Sequence, residues 1–405
     1  MEKKNFIIDS FKTILSTVIV AFSLQLFAYP FISHALGSES FGEILSIYTI
    51  ITITSVVIGN TLNNIRMITV DYFEKIYMYK NFLYILLISS LVISVVLFGL
   101  FNWFYKIDIF TIFFLLLINL LMIIRIYLNV YFRLNLDFNK ILIAAIYQVI
   151  GLVIGVLLFN YFGYWVLVFL VSEIFVVLYT IYTLRYLRFS KQDLNTQKKV
   201  LPDYVSLLVS NSLNNVNIYI DRIILLPLIG GSAVAISFLA TFVGKIFSTF
   251  MFPINNVILS YISVKTTNNK KKLYFIVNLY GLIISVIIIL VSYPVTLFIV
   301  EYFYNQSSSQ IKPFIILGNI GVFLSVIATM IQSLNTRYIS ITKQTRYVTA
   351  HTILYILLSL VLTWIYGLYG FFIVTLIANV VKVLLLSWIG INDCNKFDGN
   401  VMENK

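Results

Sequence analysis

Four basic side chains lie inside long apolar runs of this sequence, where a charge is costly: Arg125, Arg222, Lys245 and Lys382. Two carboxylates, Glu173 and Asp221, lie in comparable surroundings, so these runs carry an excess of positive charge. A charge at the centre of a bilayer costs roughly 2.5 to 3.5 kcal/mol on insertion scales, and such residues therefore usually face a protein interior or a water-filled cavity. The sequence predicts a cationic interior, whose natural guest is an anion such as a phosphate or a carboxylate.

Two of these basic residues continue polar stripes at helical spacing. The stripe of Arg222 includes Asn211 and Asn215, and the stripe of Lys245 includes Thr241. Further stripes consist of Thr52, Ser55, Gly59, Asn63 and Arg66, of Ser325, Thr329, Gln332 and Thr336, and of Thr375, Asn379 and Lys382. Stripes from both halves of the chain predict a shared polar cavity. The alternative is that serine, threonine and asparagine form hydrogen bonds that simply pack helices together.

The buried charges also have structural alternatives. Lys245 has no evident carboxylate on its own helix, which favours a functional role. Arg222 could form an ion pair with the adjacent Asp221 or with Glu173. Lys382 and Arg125 could extend toward the membrane surface.

The composition excludes a soluble globular protein. Hydrophobic residues make up 60% of the 405 residues and charged residues 11%, against about 25% charged residues in soluble domains. A bilayer-spanning helix needs about 20 apolar residues. Twelve such windows recur, at 11–33, 42–62, 81–103, 109–130, 141–160, 164–184, 204–229, 234–258, 273–298, 312–334, 348–366 and 370–390. We predict an all-α integral membrane protein with about twelve transmembrane helices.

The distribution of basic residues predicts the orientation in the membrane. With a cytoplasmic N-terminus, most of the 28 basic residues fall on the cytoplasmic side, and Lys106 and Lys312 fall outside. Both termini are then cytoplasmic. The net charge of +12 needs no nucleic-acid partner, because the positive-inside bias and anionic membrane lipids account for it.

The polar segment between residues 185 and 203 divides the spans six and six. It predicts an N-terminal six-helix lobe (1–190), a cytoplasmic linker (191–203), a C-terminal six-helix lobe (204–391) and a cytoplasmic tail (392–405) around a central cavity. Equal numbers of spans make any internal repeat parallel. The turns Leu36-Gly37 and Ile229-Gly230 are counterparts in such a repeat, as are the turns at 161–164 and 366–370.

The sequence offers no catalytic constellation. The single cysteine is Cys394 and the two histidines, His34 and His351, have no carboxylate cluster nearby, so neither a metal site nor a cofactor is expected. The predicted outer loops are short, the longest being about 300–311. A membrane-embedded polymerase or acyltransferase would need more room there, so we predict that the protein is not an enzyme.

Two short motifs point to a family. The segment Leu36-Gly37-Ser38-Glu39-Ser40-Phe41-Gly42 resembles the Leu-Gly-x-x-x-Phe/Tyr-Gly turn of polysaccharide flippases. The segment 221–225, Asp-Arg-Ile-Ile-Leu, followed by Gly230, resembles the Asp-Arg signature in the seventh span of the same family. These O-antigen and capsule transporters belong to the multidrug/oligosaccharidyl-lipid/polysaccharide exporter (MOP) superfamily. The resemblance covers about residues 10–390, although residues 235–237 depart from the Gly-x-Tyr that often follows.

The resemblance implies a substrate and a place. It implies that a polyprenyl-diphosphate-linked oligosaccharide moves from the inner to the outer leaflet of the bacterial cytoplasmic membrane by alternating access, with polysaccharide polymerase machinery as a further partner. On this interpretation Arg222 and Lys245 are the leading candidates for contact with the diphosphate, followed by Lys382 and Arg66. The remaining substrate-binding candidates are Asn211, Asn215, Asp221 and Thr241, which line the cavity. Lipid II flippases generally carry two more C-terminal helices, which disfavours a peptidoglycan role.

Three alternatives remain open from the sequence. The nearest is a cation-coupled multidrug exporter of the same superfamily, which should have an acidic cavity rather than a basic one. The others are a membrane-embedded polysaccharide-processing enzyme and a non-transporting assembly scaffold.

Overall fold

The structure is a computed structural model that describes residues 2–69, 74, 77–190, 197–251, 270–304, 306, 308–339 and 341–402. These residues are almost entirely helical. The helices are α1 (Glu2–Ser23), α2 (Tyr29–Ile68), α3 (Lys80–Trp103), α4 (Ile109–Leu134), α5 (Phe138–Phe162), α6 (Val166–Thr183), α7 (Gln197–Ile218), α8 (Ile220–Leu228), α9 (Gly231–Ala240), α10 (Phe242–Met251), α11 (Lys270–Tyr302), α12 (Ser308–Tyr338) and α13 (Ile341–Met402). A π-helical turn, Leu24–Ala28, joins α1 to α2.

The helices confirm the predicted all-α membrane fold. Among the described residues, eight helical stretches are long and apolar enough to cross a membrane, and the bent pair α9 and α10 makes a ninth. Two of the eight, Ile8–Ile68 and Arg346–Asn392, are 61 and 47 residues long. Each is interrupted by a glycine with non-helical backbone angles, Gly37 or Gly367. Because one span needs about 20 residues, each stretch is long enough for two spans.

The predicted spans 204–229 and 234–258 are not continuous helices. The first is divided between α7 and α8, which are separated at Tyr219. In the second, α9 and α10 meet at a bend of 57°. Hydropathy alone misses such breaks, because an average over about 20 residues is insensitive to one residue that leaves the helical conformation.

The chain forms two compact units. Unit 1 consists of Met1–Ala35 and Ile47–Tyr219, and unit 2 consists of Leu36–Ser46 and Ile220–Lys405. Helix α7 therefore groups with the N-terminal part of the chain, and the turn after the first span groups with the C-terminal part. Within the predicted linker, residues 191–196 lie outside the described residues, and α13 continues through the predicted tail to Met402. The division into two six-helix lobes remains a prediction.

Unit 1 contains a core formed by α2, α3, α4 and α7, with Leu62, Phe82, Tyr131 and Tyr204 among its buried side chains. Beside this core two short strands pair in parallel, β1 (Tyr77–Met78) and β2 (Arg188–Phe189). In unit 2 a second core joins α11, α12 and α13.

The proposed counterpart turns share a backbone conformation. Gly37 has φ 81° and ψ 170°, and Gly230 has φ 117° and ψ 178°. Both values of φ lie in the region that favours glycine. The similarity supports the parallel repeat suggested by the two Gly-containing turns.

Candidate functional site

The candidate site is a charge cluster in unit 2, formed by Asp221 and Arg222 of α8 and Lys245 of α10. The Lys245 Nζ lies 2.5 Å from the Asp221 Oδ2. The lysine side chain is 24% exposed and the aspartate 8%. The Asp221 carboxylate also interacts electrostatically with Arg222. One carboxylate thus faces two cations, which gives the charge cluster a net positive charge.

Aromatic packing holds the guanidinium of Arg222. Its Cζ lies 5.3 Å from the centre of the Phe238 ring, a distance at which a cation is attracted by the ring face. Phe238 is itself packed edge-on against Phe41 and Phe242, with Tyr304 completing the group. The guanidinium is thereby oriented by packing, as bidentate hydrogen bonding to the oxygens of an anion requires.

The first motif of the family resemblance supports this packing. The Glu39 carboxylate accepts hydrogen bonds from the backbone N–H groups of Gly231 and Ser232, each at 2.8 Å, and so caps α9. A Cβ on Gly42 would lie 1.7 Å from the Gly231 carbonyl oxygen, so only glycine allows this approach. Phe41 packs against Phe238, the ring that contacts Arg222. The two motifs quoted for the resemblance therefore meet within unit 2.

Helix α13 contributes polar groups near the charge cluster. This helix packs against α8, and the Tyr355 hydroxyl lies 2.9 Å from the Thr375 Oγ1. The His351 Nε2 lies 2.8 Å from the Ala378 carbonyl oxygen. Lys382 lies farther along α13 and is half-buried. It takes part in none of the ion pairs found in the described parts of the chain.

The backbone break beside Lys245 is held by a residue that the sequence analysis missed. Asn319 of α12 is completely buried, and its side-chain amide bonds to Ala240 and Gly244 on the two sides of the break. A lone asparagine in an apolar run was the available signal. Thr241, predicted to line the cavity, lies in the break, and its hydroxyl bonds to the Ser237 carbonyl of its own helix.

The other predicted site residues lie in unit 1. The Arg66 side chain is fully buried, donates to the Glu74 carbonyl at 2.7 Å, and lies over the rings of Tyr79 and Tyr131. The Asn211 Nδ2 donates to the Thr61 Oγ1 at 2.9 Å. The Asn215 Nδ2 donates to the Asn211 carbonyl.

The polar stripe of α2 packs against α4. The Asn119 Nδ2 donates to the Ser55 Oγ at 2.8 Å. The Asn63 Nδ2 donates to the Ile126 carbonyl, and its Oδ1 accepts from Arg133. The side chains of this stripe therefore form hydrogen bonds between packed helices, which was the alternative to lining a cavity. The shared cavity expected from both halves remains a prediction.

The structure shows partners for two buried charges whose pairing the sequence left open. The Glu173 carboxylate accepts hydrogen bonds from Arg125, through Nε at 2.7 Å and Nη2 at 3.0 Å. Gln148 donates to the same carboxylate. Lys245 does have a carboxylate at hand, on a neighbouring helix rather than its own. Glu173 and Asp221 therefore each bind a basic side chain, Arg125 and Lys245 respectively.

Within the described part of the chain, no group of three or more histidine, cysteine, aspartate or glutamate side chains could hold a metal ion.

Comparison with known proteins identifies the fold. No family model matches the chain, and no curated protein matches it significantly. Among solved structures, the lipid II flippase MurJ in an inward closed conformation has a TM-score of 0.71 at 16% identity, covering 98% of this chain and 91% of that chain. The chain has the same fold as this flippase.

Two further structures have the same fold. An outward-facing multidrug resistance MATE family transporter has a TM-score of 0.65 at 17% identity, covering 97% of this chain and 96% of that chain. A MOP superfamily transporter from Pyrococcus furiosus, whose binding pocket is described as having reverse polarity, has a TM-score of 0.63 at 16% identity, with coverage of 97% and 96%.

Proposed function

We propose that this chain is a flippase that moves a polyprenyl-diphosphate-linked oligosaccharide from the inner to the outer leaflet of the bacterial cytoplasmic membrane, by alternating access, for O-antigen or capsule synthesis. The observation that carries the proposal is the net positive charge of the charge cluster. Asp221 is outnumbered by Arg222 and Lys245, and Lys382 adds a further cation on α13. An anionic head group is the ligand that balances this charge.

The chemistry of a diphosphate fits these side chains. Arginine forms paired hydrogen bonds with phosphate oxygens, and Arg222 is already oriented by Phe238. Lys245 is 24% exposed, so a phosphate could replace Asp221 as its partner. Charge-assisted hydrogen bonds contribute about 1.5 to 3 kcal/mol each. An inside-negative potential favours outward movement of an anion by about 2.3 kcal/mol per charge per 100 mV.

The structural neighbours are compatible with this proposal. One of them is named for a lipid-linked substrate, lipid II, and another for the reverse polarity of its pocket. We further propose that both termini are cytoplasmic, that membrane lipids surround the protein, and that polysaccharide polymerase machinery receives its product.

A cation-coupled multidrug exporter is the second candidate, because MATE family transporters share the fold. Such a protein needs an acidic residue that is free to bind a cation. Both buried carboxylates named here, Glu173 and Asp221, are occupied by basic side chains. The positive charge cluster favours the flippase.

The two candidates can be separated in proteoliposomes. We expect the protein to flip a fluorescently labelled short-chain polyprenyl diphosphate disaccharide, measured by loss of fluorescence when an impermeant reductant is added. Lys245→Glu should reduce the rate at least about tenfold, because it reverses a charge that pairs with phosphate. Lys312→Glu, on an exposed lysine of the same unit, should stay within twofold of the unchanged protein.

Transport of a cationic dye by the same vesicles, with no movement of the lipid-linked sugar, would favour the exporter. Equal rates for Lys245→Glu and Lys312→Glu would contradict a role for the charge cluster.

A further inference from the structure

The bend between α9 and α10 contains a side-chain amide in place of a helical hydrogen bond. In a continuous α-helix the N–H of Gly244 would donate to the carbonyl of Ala240. Here the Gly244 N–H donates to the Asn319 Oδ1 at 2.8 Å, and the Ala240 carbonyl accepts from the Asn319 Nδ2 at 2.8 Å. Insertion of a side chain into the hydrogen-bond ladder is a known cause of sharp helix kinks. The amide thus accounts for the 57° bend.

The surroundings of the break are fitted to this amide. A Cβ on Gly244 would lie 2.6 Å from the Asn319 Oδ1 and 3.2 Å from the Val322 Cβ. Glycine at 244 is therefore needed for the amide to enter the ladder. Asn319 is anchored on its own helix, where Nδ2 also donates to the Ile315 carbonyl at 2.7 Å.

Withdrawal of the amide would cost few hydrogen bonds. The Ala240 carbonyl and the Gly244 N–H are natural partners of each other, and Asn319 would keep its bond to Ile315. Three hydrogen bonds of the bent form become two in the straight form, and the Asn319 Oδ1 loses its donor, which costs about 1 to 3 kcal/mol. A difference of a few kcal/mol still leaves the minor form populated, as a two-state hinge requires.

The hinge bears directly on the charge cluster, because Lys245 follows Gly244 in the chain. In the bent form its Nζ contacts Asp221. We propose that Asn319 is a positioning residue: its amide holds α9 and α10 bent so that Lys245 pairs with Asp221, and its withdrawal straightens the helix and frees Lys245 for the anionic head group. The release of Lys245 to the anionic head group rests on the proposed function.

Distance measurement tests the hinge without any transport assay. Spin labels at Ser232 and Met251, in a Cys394→Ser background, are 19 residues apart and would be separated by about 28 Å along a straight helix. A 57° bend near the middle shortens this backbone distance by about 3 Å. We expect Asn319→Ala to shift the distances toward the longer value. Gly244→Ala, which expels the amide sterically, should cause the same shift.

A third variant locks the bend. Gly244→Pro combined with Asn319→Ala removes the N–H that a straight helix needs, so the short distance should return. Asn335→Ala is the matched control, because Asn335 is equally buried on α12 and also forms side-chain hydrogen bonds, to Tyr274 and Leu386. It should leave the distance unchanged. In the flipping assay, the locked variant should be at least about tenfold slower than the unchanged protein, as expected if straightening costs about 1.4 kcal/mol more.

The outcomes separate the hinge from the proposed function. Unchanged distances in both Asn319→Ala and Gly244→Ala, or an equal shift in Asn335→Ala, would overturn the hinge. Full transport by the locked variant would overturn its role in releasing Lys245. If no lipid-linked sugar moves even in the unchanged protein, the proposed function fails, and the distances still decide whether Asn319 holds the bend.

Discussion

Lys245 combines two properties that a binding residue needs. Its partner Asp221 neutralises it inside the protein, and its side chain keeps partial access, at 24% exposure. Replacing one member of a buried ion pair is costly, because the remaining charge stays buried with less compensation. The pair therefore affects stability as well as binding, and these effects must be separated experimentally.

We predict that Lys245→Ala lowers the free energy of unfolding by about 2 kcal/mol, because it removes a charge-assisted hydrogen bond from the buried Asp221 carboxylate and leaves Arg222 as the remaining cation beside it. The double variant Asp221→Asn/Lys245→Met should recover most of this loss while failing to flip the lipid-linked sugar. Thermal unfolding in detergent measures the first effect and the flipping assay the second. A double variant as unstable as the single one would mean that the two side chains are not coupled.

At this scale the sequence indicated three charged residues that the structure brings together, but it did not predict how they pair. Asp221, Arg222 and Lys245 were all selected as candidates, because a charge in an apolar run is rare and costly. The sequence could not predict the pairing of Lys245 with Asp221, because the pairing depends on how α10 packs beside α8. For the same reason Arg125 was not recognised as the partner of Glu173.

At the scale of helices, the contact between α2 and α9 rests on an unusually close backbone approach. A Cβ on Gly42 would lie 1.7 Å from the Gly231 carbonyl oxygen. The Glu39 cap and the position of Phe41 both depend on this approach.

We predict that Gly42→Ala separates the two helices and lowers the free energy of unfolding by about 2 kcal/mol, since overpacking typically costs 1–3 kcal/mol. Gly99→Ala is the matched control, because nothing lies within 4 Å of a Cβ at that glycine. It should be neutral or slightly stabilising, because alanine favours a helix more than glycine does. Equal thermal stability of the two variants would refute the close contact.

Helix existence was predictable, and helix continuity was not. The apolar windows correspond to helices in nearly every case, because a bilayer demands about 20 apolar residues per span. The span 234–258 was predicted as one helix, yet its break depends on Asn319, which is 75 residues beyond Gly244. No local pattern encodes such a contact.

At the scale of the whole molecule, the compact units do not follow the chain strictly. Residues 36–46 belong to unit 2 while the residues on both sides of this segment belong to unit 1. Counting spans from hydropathy assigns a segment by its order in the chain. That method therefore cannot predict that residues 36–46 belong to unit 2.

The predicted orientation can be tested directly on intact cells. In a Cys394→Ser background, single cysteines at the exposed positions Lys106 and Lys312 should react with an impermeant thiol reagent. A cysteine at Arg188, also exposed, should react only after the membrane is permeabilised, because the positive-inside bias places it in the cytoplasm. The opposite labelling pattern would invert the topology.

The central claim is that the charge cluster of unit 2 binds an anionic diphosphate. The most direct measurement is equilibrium binding of a short-chain polyprenyl diphosphate disaccharide to the protein in nanodiscs, compared with the same lipid-linked sugar lacking phosphate. We predict that Arg222→Gln weakens binding of the diphosphate at least about tenfold, since a charge-assisted contact contributes about 1.5 to 3 kcal/mol, and leaves binding of the phosphate-free compound unchanged. Equal affinity of Arg222→Gln and the unchanged protein for the diphosphate would contradict the claim.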